Sequence, residues 1–269
     1  MTWEVIARQD WSVTVETRSA KVLLGLLVSV VLLAGYIYPV AAPEPITTAR
    51  FSSFAMGGLT MVVPFVGMLL SYGAVVDERE SGSILLSLSF PHSRRDVVLG
   101  KYLSRTGLVA AATVGSMLGA GALVVYPFGE LVLGRFLVFL ALTVLFVVVW
   151  SGLGLAVSLA AATRRRALVL GFGIVFLFVI VWDTAVQALT LGLNAAGLVD
   201  GELPGAVQFL VGLEPSRLFE RATTGFVLPG ESVAGPWYLG EWVALLVLVC
   251  WVVGPLGLAF LRFDGSDLS

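Results

Sequence analysis

The chain has 269 residues, 58% hydrophobic and 13% charged, with 16 basic and 18 acidic side chains for a formal charge of −2. A soluble protein carries about a quarter of its residues charged, so this chain, with a mean hydropathy of +0.97, has lipid as the solvent for most of its length. One cysteine, Cys250, and one histidine, His92, exclude an internal disulfide and a Cys/His metal cluster.

Residues 1–20 place Glu4, Arg8, Asp10, Glu16 and Arg18 ahead of the first apolar run, which is not the pattern of a cleavable signal. Trp3, Val5, Ile6 and Trp11 suit an amphipathic helix lying in the membrane interface. Uncharged stretches follow at 22–43, 51–76, 106–129, 136–163, 167–182 and 242–261. Five of the six reach the roughly 18 to 20 residues that a helix needs to cross a bilayer, and the fifth in order resumes past Asp183 to Val199. The expected fold is therefore all-α and integral to the membrane, one domain over 1–269 with spans at about 21–42, 52–76, 103–126, 135–161, 167–192 and 238–261. Pro64 falls in the middle of the second span, where it kinks a helix and frees a carbonyl.

Between the second and third spans, residues 78–100 are richer in charge than a simple connection requires. Glu78 and Glu80 close the second span, Ser81 and Ser83 cap a short helix with Ile84, Leu85 and Leu88 on one face, and Pro91 ends it. Ser93-Arg94-Arg95-Asp96 then reads as a capping box that opens the next helix. Small residues at helix-contact spacing, Gly115 with Gly119 and Gly154 with Ser158, serve either packing within the bundle or a seam between two copies.

Asp183 is the one ionisable residue inside a span. Counting from Ala167 at about 1.5 Å per residue puts it about 24 Å into a core of about 30 Å, near the interface beside Trp182. It is either an in-membrane polar site or a solvated, helix-paired carboxylate. Residues 193–236 form the longest segment outside the spans, divided by Pro204, Pro215, Pro229 and Pro236; short amphipathic helices are expected there.

If the N-terminus is cytoplasmic, twelve of the sixteen basic residues face inward, leaving only Arg50, Arg135, Arg217 and Arg221 outside. Positive charge favours the inner loops, so both termini are expected in the cytoplasm. Residues 78–100 then form a cytoplasmic segment and 193–236 an outer one. Gly100-Lys101 lacks the upstream glycine of a phosphate-binding loop, and no GxGxxG, GxSxG or HExxH occurs. No catalytic, cofactor or metal-binding residue is expected, and no nucleic-acid partner.

The acidic-x-acidic start at Glu78 and Glu80, the small-residue and leucine-rich run, and the Pro-x-Ser-Arg-Arg and Gly-Lys that lead into a span together resemble the first cytoplasmic loop of ABC-2-type permeases. The stretch LEPSRLFER at 213–221 is similar to that family's outer helix. Within the family, the chain looks most like permeases near the multi-copper-enzyme and nitrous-oxide reductase maturation branch. Ser83 stands where the family usually has threonine. The resemblance implies a permease subunit of an ABC exporter in a prokaryotic cell membrane. It would pair with a second copy as a homodimer and with two ATP-binding cassette subunits that hold the ATP and magnesium. Glu78, Glu80, Ile84, Leu85, Leu88, Arg94 and Arg95 would then be the residues that dock and couple to the ATPase. Two other readings remain at this level: a channel or secondary transporter acting alone, and a subunit that transmits motion across the membrane without moving a substrate.

Overall fold

The computed structural model describes residues 3–82, 93–126, 129–199, 201 and 203–264. Among these residues the architecture is all-helical, with an isolated bridge between Thr47 and Glu130. Helix α1 spans Trp3–Glu16 and is followed by α2 (Arg18–Ala41), α3 (Thr48–Ser71) and the short α4 (Val76–Glu80). Helix α5 covers Arg94–Val125 and α6 covers Leu133–Ala160. The next run comprises α7 (Arg164–Val175), a π-helical turn (Phe176–Val181) and α8 (Trp182–Ala195). Two short helices, α9 (Gly205–Val211) and α10 (Pro215–Val227), a 3-10 turn (Trp237–Leu239) and α11 (Glu241–Asp264) complete the chain.

Among the described residues, six helical stretches are long and apolar enough to cross a membrane: Arg18–Ala41, Thr48–Glu80, Arg94–Val125, Leu133–Ala160, Arg164–Ala195 and Glu241–Phe263. Helix α1 and the end of α11 both pack near the start of α5, at one face of the bundle, here called the terminal face. Four of the six open on a hydroxyl cap, with Thr17, Thr47, Ser93 and Thr163 each accepting a first-turn backbone N–H. Such caps satisfy donors that no preceding turn can reach, which matters most where the chain enters hydrocarbon. The predicted capping box is present: the Ser93 hydroxyl accepts from the Asp96 N–H and the Asp96 carboxylate accepts from the Ser93 N–H. From this box α5 runs unbroken through 32 residues, so the helix expected after Pro91 and the third span are one element.

Helix α6 is the axis of the bundle, packed against α3, α5, α7, α10 and α11. Phe139, Phe146 and Trp150 on it are fully buried. The expected small-residue pairs divide: a Cβ at Gly154 would lie 2.8 Å from the Ser71 Cβ and one at Gly119 2.9 Å from Leu32, whereas one at Gly115 would meet nothing within 4 Å among the described residues; outside these pairs, a Cβ at Gly35 would lie 2.7 Å from Ala120. These contacts bring α6 against α3 and α2 against α5 at distances that only small residues allow. Burial is uneven among the spans. Within the apolar windows of α3 and α6, 61% is buried, against 11% along α7–α8. The faces of α2, α7–α8 and α11 are left to lipid or to another chain.

Of the two short helices after α8, α9 buries no residue, whereas α10 is more deeply set than an interfacial resting place would require. Glu214 caps α10 by accepting from the backbone N–H of both Ser216 and Arg217, and Pro215 sits at the first helical position. The helix then buries Leu218, Phe219 and Ala222. The Phe219 ring stacks on Phe146 of α6 at 4.7 Å. Helix α10 is thereby docked into the opposite face of the bundle.

Candidate functional site

At the terminal face, the chain between the second and third spans is anchored before and after residues 83–92, which carry Ile84, Leu85 and Leu88 and lie outside the described residues. The anchor begins where α3 ends. Between Ser71 and Val76 the helix breaks into a turn, and the freed N–H groups of Val75 and Val76 both donate to the hydroxyl of Ser158 on α6, at 2.9 and 3.0 Å. Ser158 is fully buried, so no water competes for those bonds. Helix α4 follows, and its C-cap is Ser81. Its N–H donates to the carbonyls of Asp77 and Arg79 and closes that turn, while the helix that Ser81 and Ser83 are expected to cap falls on 83–92, outside the described residues.

The charges of α4 point back into the protein. The Glu78 carboxylate lies 2.7 Å from the Lys101 ammonium on α5, and Lys101 also reaches Asp10 of α1 at 3.5 Å. Asp10 in turn accepts two bonds from the Arg105 guanidinium, at 2.8 and 3.0 Å, and Arg105 donates a third to the Leu70 carbonyl at 2.9 Å. Lys101 and Arg105 are four apart on α5 and therefore share the face that α1 covers. The side chains of Lys101 and Asp10 are 5% and 9% exposed. Burial pushes the Asp10 carboxyl up, but the Arg105 hydrogen bond and charge, with the Lys101 charge behind them, prevail and hold it below its usual value. Glu80 makes a second link: its carboxylate accepts from the Arg164 backbone N–H at 3.0 Å, where α7 begins.

On the other side of 83–92, Arg94 donates to the Phe263 carbonyl at 2.8 Å, with its guanidinium 5.5 Å from the Phe263 ring centroid. Arg79 covers the same ring at 5.1 Å. Arg95 is exposed in the first turn of α5. Of the seven residues singled out in this segment, Glu78, Glu80 and Arg94 are therefore tied to α5, α7 and α11 respectively, and Arg95 faces outward. Sequence reasoning missed Asp10, Lys101, Arg105 and Ser158 as parts of this arrangement. The spacing of Lys101 and Arg105 was a visible signal; the identity of their partner 95 residues before Arg105 was not.

Helix α1 is seated by contacts that would not tolerate side chains beneath it. A Cβ on Gly100 would meet the Trp3 carbonyl at 2.8 Å and Ile6 at 2.9 Å, and one on Gly107 would meet the Trp11 ring at 3.0 Å. The tryptophan and isoleucine of the predicted amphipathic face are thus what α1 lays against α5.

Asp183 belongs to a different setting, at the opposite face. Its carboxylate accepts from Arg217 of α10 at 2.6 and 3.1 Å and its side chain is 71% exposed. The pair borders an open cleft of about 400 Å³ that Glu220, Arg221 and Thr224 also line. Nearby, burial holds the Glu214 carboxyl above its usual value although two backbone N–H groups donate to it. The Asp183–Arg217 pair links α8 to α10. Among the described residues there is no cluster of three or more His, Cys, Asp or Glu able to hold a metal ion.

Comparison with known proteins adds to this geometry. The family described as ABC-2 family transporter protein matches residues 5–268. The probable ABC transporter permease protein NosY of Pseudomonas aeruginosa is 31% identical over 228 residues, which cover 80% of this chain and 78% of the relative. The protein of the same name from Stutzerimonas stutzeri is 30% identical over 236 residues, 81% of this chain and 80% of its own length.

Proposed function

The chain belongs to the ABC-2 transporter family, a transmembrane permease subunit that associates with an ATP-binding subunit, and on that premise we propose how it is coupled and what it does. It is the membrane half of an exporter, with both termini in the cytoplasm. Two copies form a homodimer served by two ATP-binding cassette subunits, and the exposed faces of α2, α7–α8 and α11 are shared between lipid and the second copy. ATP and magnesium are held by the partner, and the pathway runs along the seam between the two copies.

The observation that carries this reading is the wiring of the segment around 83–92. Glu78 connects through Lys101 to Asp10 and so to α1, Glu80 connects to the start of α7, and Arg94 connects to the end of α11. A connection whose only task is to join two spans has no need of bonds to three other elements. In this reading Ile84, Leu85 and Leu88 dock in the ATP-binding subunit, with Arg95 at the rim of the contact. Glu78, Glu80 and Arg94 transmit its movement rather than touch it. Asp183 has no part in the pathway.

The test is co-expression with the ATP-binding subunit. The double substitution Leu85→Arg/Leu88→Arg is expected to reduce co-purification of the ATPase by tenfold or more while the permease still reaches the membrane. Full co-purification, together with an ATPase rate still controlled by the permease, overturns the docking assignment.

A further inference from the structure

A second site lies at the terminal face, apart from the docking segment. A cavity of about 630 Å³ opens between α1, the start of α2, the end of α3 and the first residue of α7, a size within the usual range of small-ligand pockets, about 300–1,000 Å³. Its lining carries three guanidinium groups, Arg18, Arg105 and Arg164, against one carboxylate, Asp77. Arg105 is engaged by Asp10, as described above. Arg164 reaches Asp77 only at 3.5 Å, and its side chain is 61% exposed. Among the described residues Arg18 makes no ion pair at all. The cavity also receives the N-terminal end of α2, where Thr17, Arg18 and Ser19 line it and where the helix dipole is positive. Thr14, 2% exposed, contributes to the same lining and has a buried hydroxyl without a hydrogen-bond partner.

The rest of the wall is apolar. Val22 and Leu23 of α2 face Leu69 and Leu70 of α3 across it, and Val22 is 69% exposed. The two chemistries are stacked along α2, with the cationic rim at the helix start and the apolar wall about one turn further into the span. A soluble anion would match the rim and leave the wall wet. A neutral lipid would match the wall and leave the charge of Arg18 unanswered. Both are met by an amphiphile with an anionic head, the type of ligand that basic pockets between spans hold at the headgroup level.

We propose that this cleft binds an anionic phospholipid, its phosphate between Arg18 and Arg164 and an acyl chain along Val22, Leu23 and Leu69. Because the cleft abuts Asp77 at the start of α4, the bound lipid adjoins the segment that leads into residues 83–92. The site is independent of how the chain is coupled to ATP, and would stand if that reading failed.

The experiment is native mass spectrometry of the purified protein in detergent, titrated separately with phosphatidylglycerol, phosphatidylcholine and free glycerol phosphate. The expected result is one retained phosphatidylglycerol, bound at least tenfold tighter than phosphatidylcholine and not displaced by glycerol phosphate. Arg18→Gln and Arg164→Gln should each weaken phosphatidylglycerol about fivefold, the worth of one arginine near an anionic head, and leave phosphatidylcholine unchanged. Arg18→Lys should keep the preference. Val22→Asn, at an exposed position outside the charge network, should weaken both lipids and not their ratio. Equal affinity for the two lipids overturns the proposal, as does a preference that survives both arginine substitutions. Displacement by glycerol phosphate would reassign the site to a soluble anion. A protein that retains no lipid because a second copy closes the cleft would also overturn it.

Discussion

The two ends of the bundle both carry paired charges, and they treat them differently. At the terminal face Asp10, Lys101 and Arg105 are sequestered among α1, α3 and α5, and each has partners from another element. At the opposite face Asp183 and Arg217 meet at 2.6 Å, closer than any other charged pair among the described residues, yet the bundle leaves 71% of the Asp183 side chain exposed. Distance alone would rank the second pair first. Burial reverses the order, because a desolvated charge that loses its partner cannot fall back on water, whereas an exposed one can. The first arrangement holds three elements in one geometry; the second closes one helix onto the rim.

The sharpest way to break this comparison is Asp10→Ala, which strips Arg105 of its carboxylate and Lys101 of one of its two. Removing one partner of a buried pair costs about 3–5 kcal/mol, so denaturant unfolding in micelles should show a loss of that order. A loss below about 1 kcal/mol would mean that water reaches the network and that the two ends are alike. Next in size is Ser158→Ala, which leaves the Val75 and Val76 N–H groups buried without an acceptor; a loss of about 2 kcal/mol is expected. Hydrogen exchange should register it as faster exchange at those two amides, with α3 itself unaffected. Unchanged exchange would show that another acceptor serves the break. The smallest effect is expected from Asp183→Asn, less than about 1 kcal/mol, with ATPase coupling intact. A loss of about 3 kcal/mol or more there would place the Asp183–Arg217 pair in a desolvated setting and remove the contrast between the two faces.

Much of the fold was legible because the bilayer imposes a long, local pattern. The gaps between charges located six apolar crossings, and the spacing of Ser93 and Asp96 announced the box that starts α5. Pro215 marked the first turn of α10, and the small residues Gly154 and Ser158 marked a close contact. What those residues touch was not legible. Gly154 meets α3 and Ser158 holds the break after it, and either could equally have faced a second copy. Asp10 looked like one of several charges on an amphipathic helix. Only the packing of Trp3, Ile6 and Trp11 over Gly100 and Gly107 turns it toward Lys101 and Arg105. Asp183 drew notice because acids are rare in spans, and the partner that explains it sits on a separate short helix.

The unbroken course of α5 has a mechanical consequence. At about 1.5 Å per residue, its 32 residues make a rod about 48 Å long, longer than the hydrocarbon is thick. It has no proline and no π turn, unlike the run from α7 to α8 with its six π-helical residues. A stiff rod that begins at Arg94 behaves as a lever: a tilt of about 5° at one end displaces the other by about 4 Å. Movement applied at one membrane surface is thereby delivered at the other without any joint in between to absorb it.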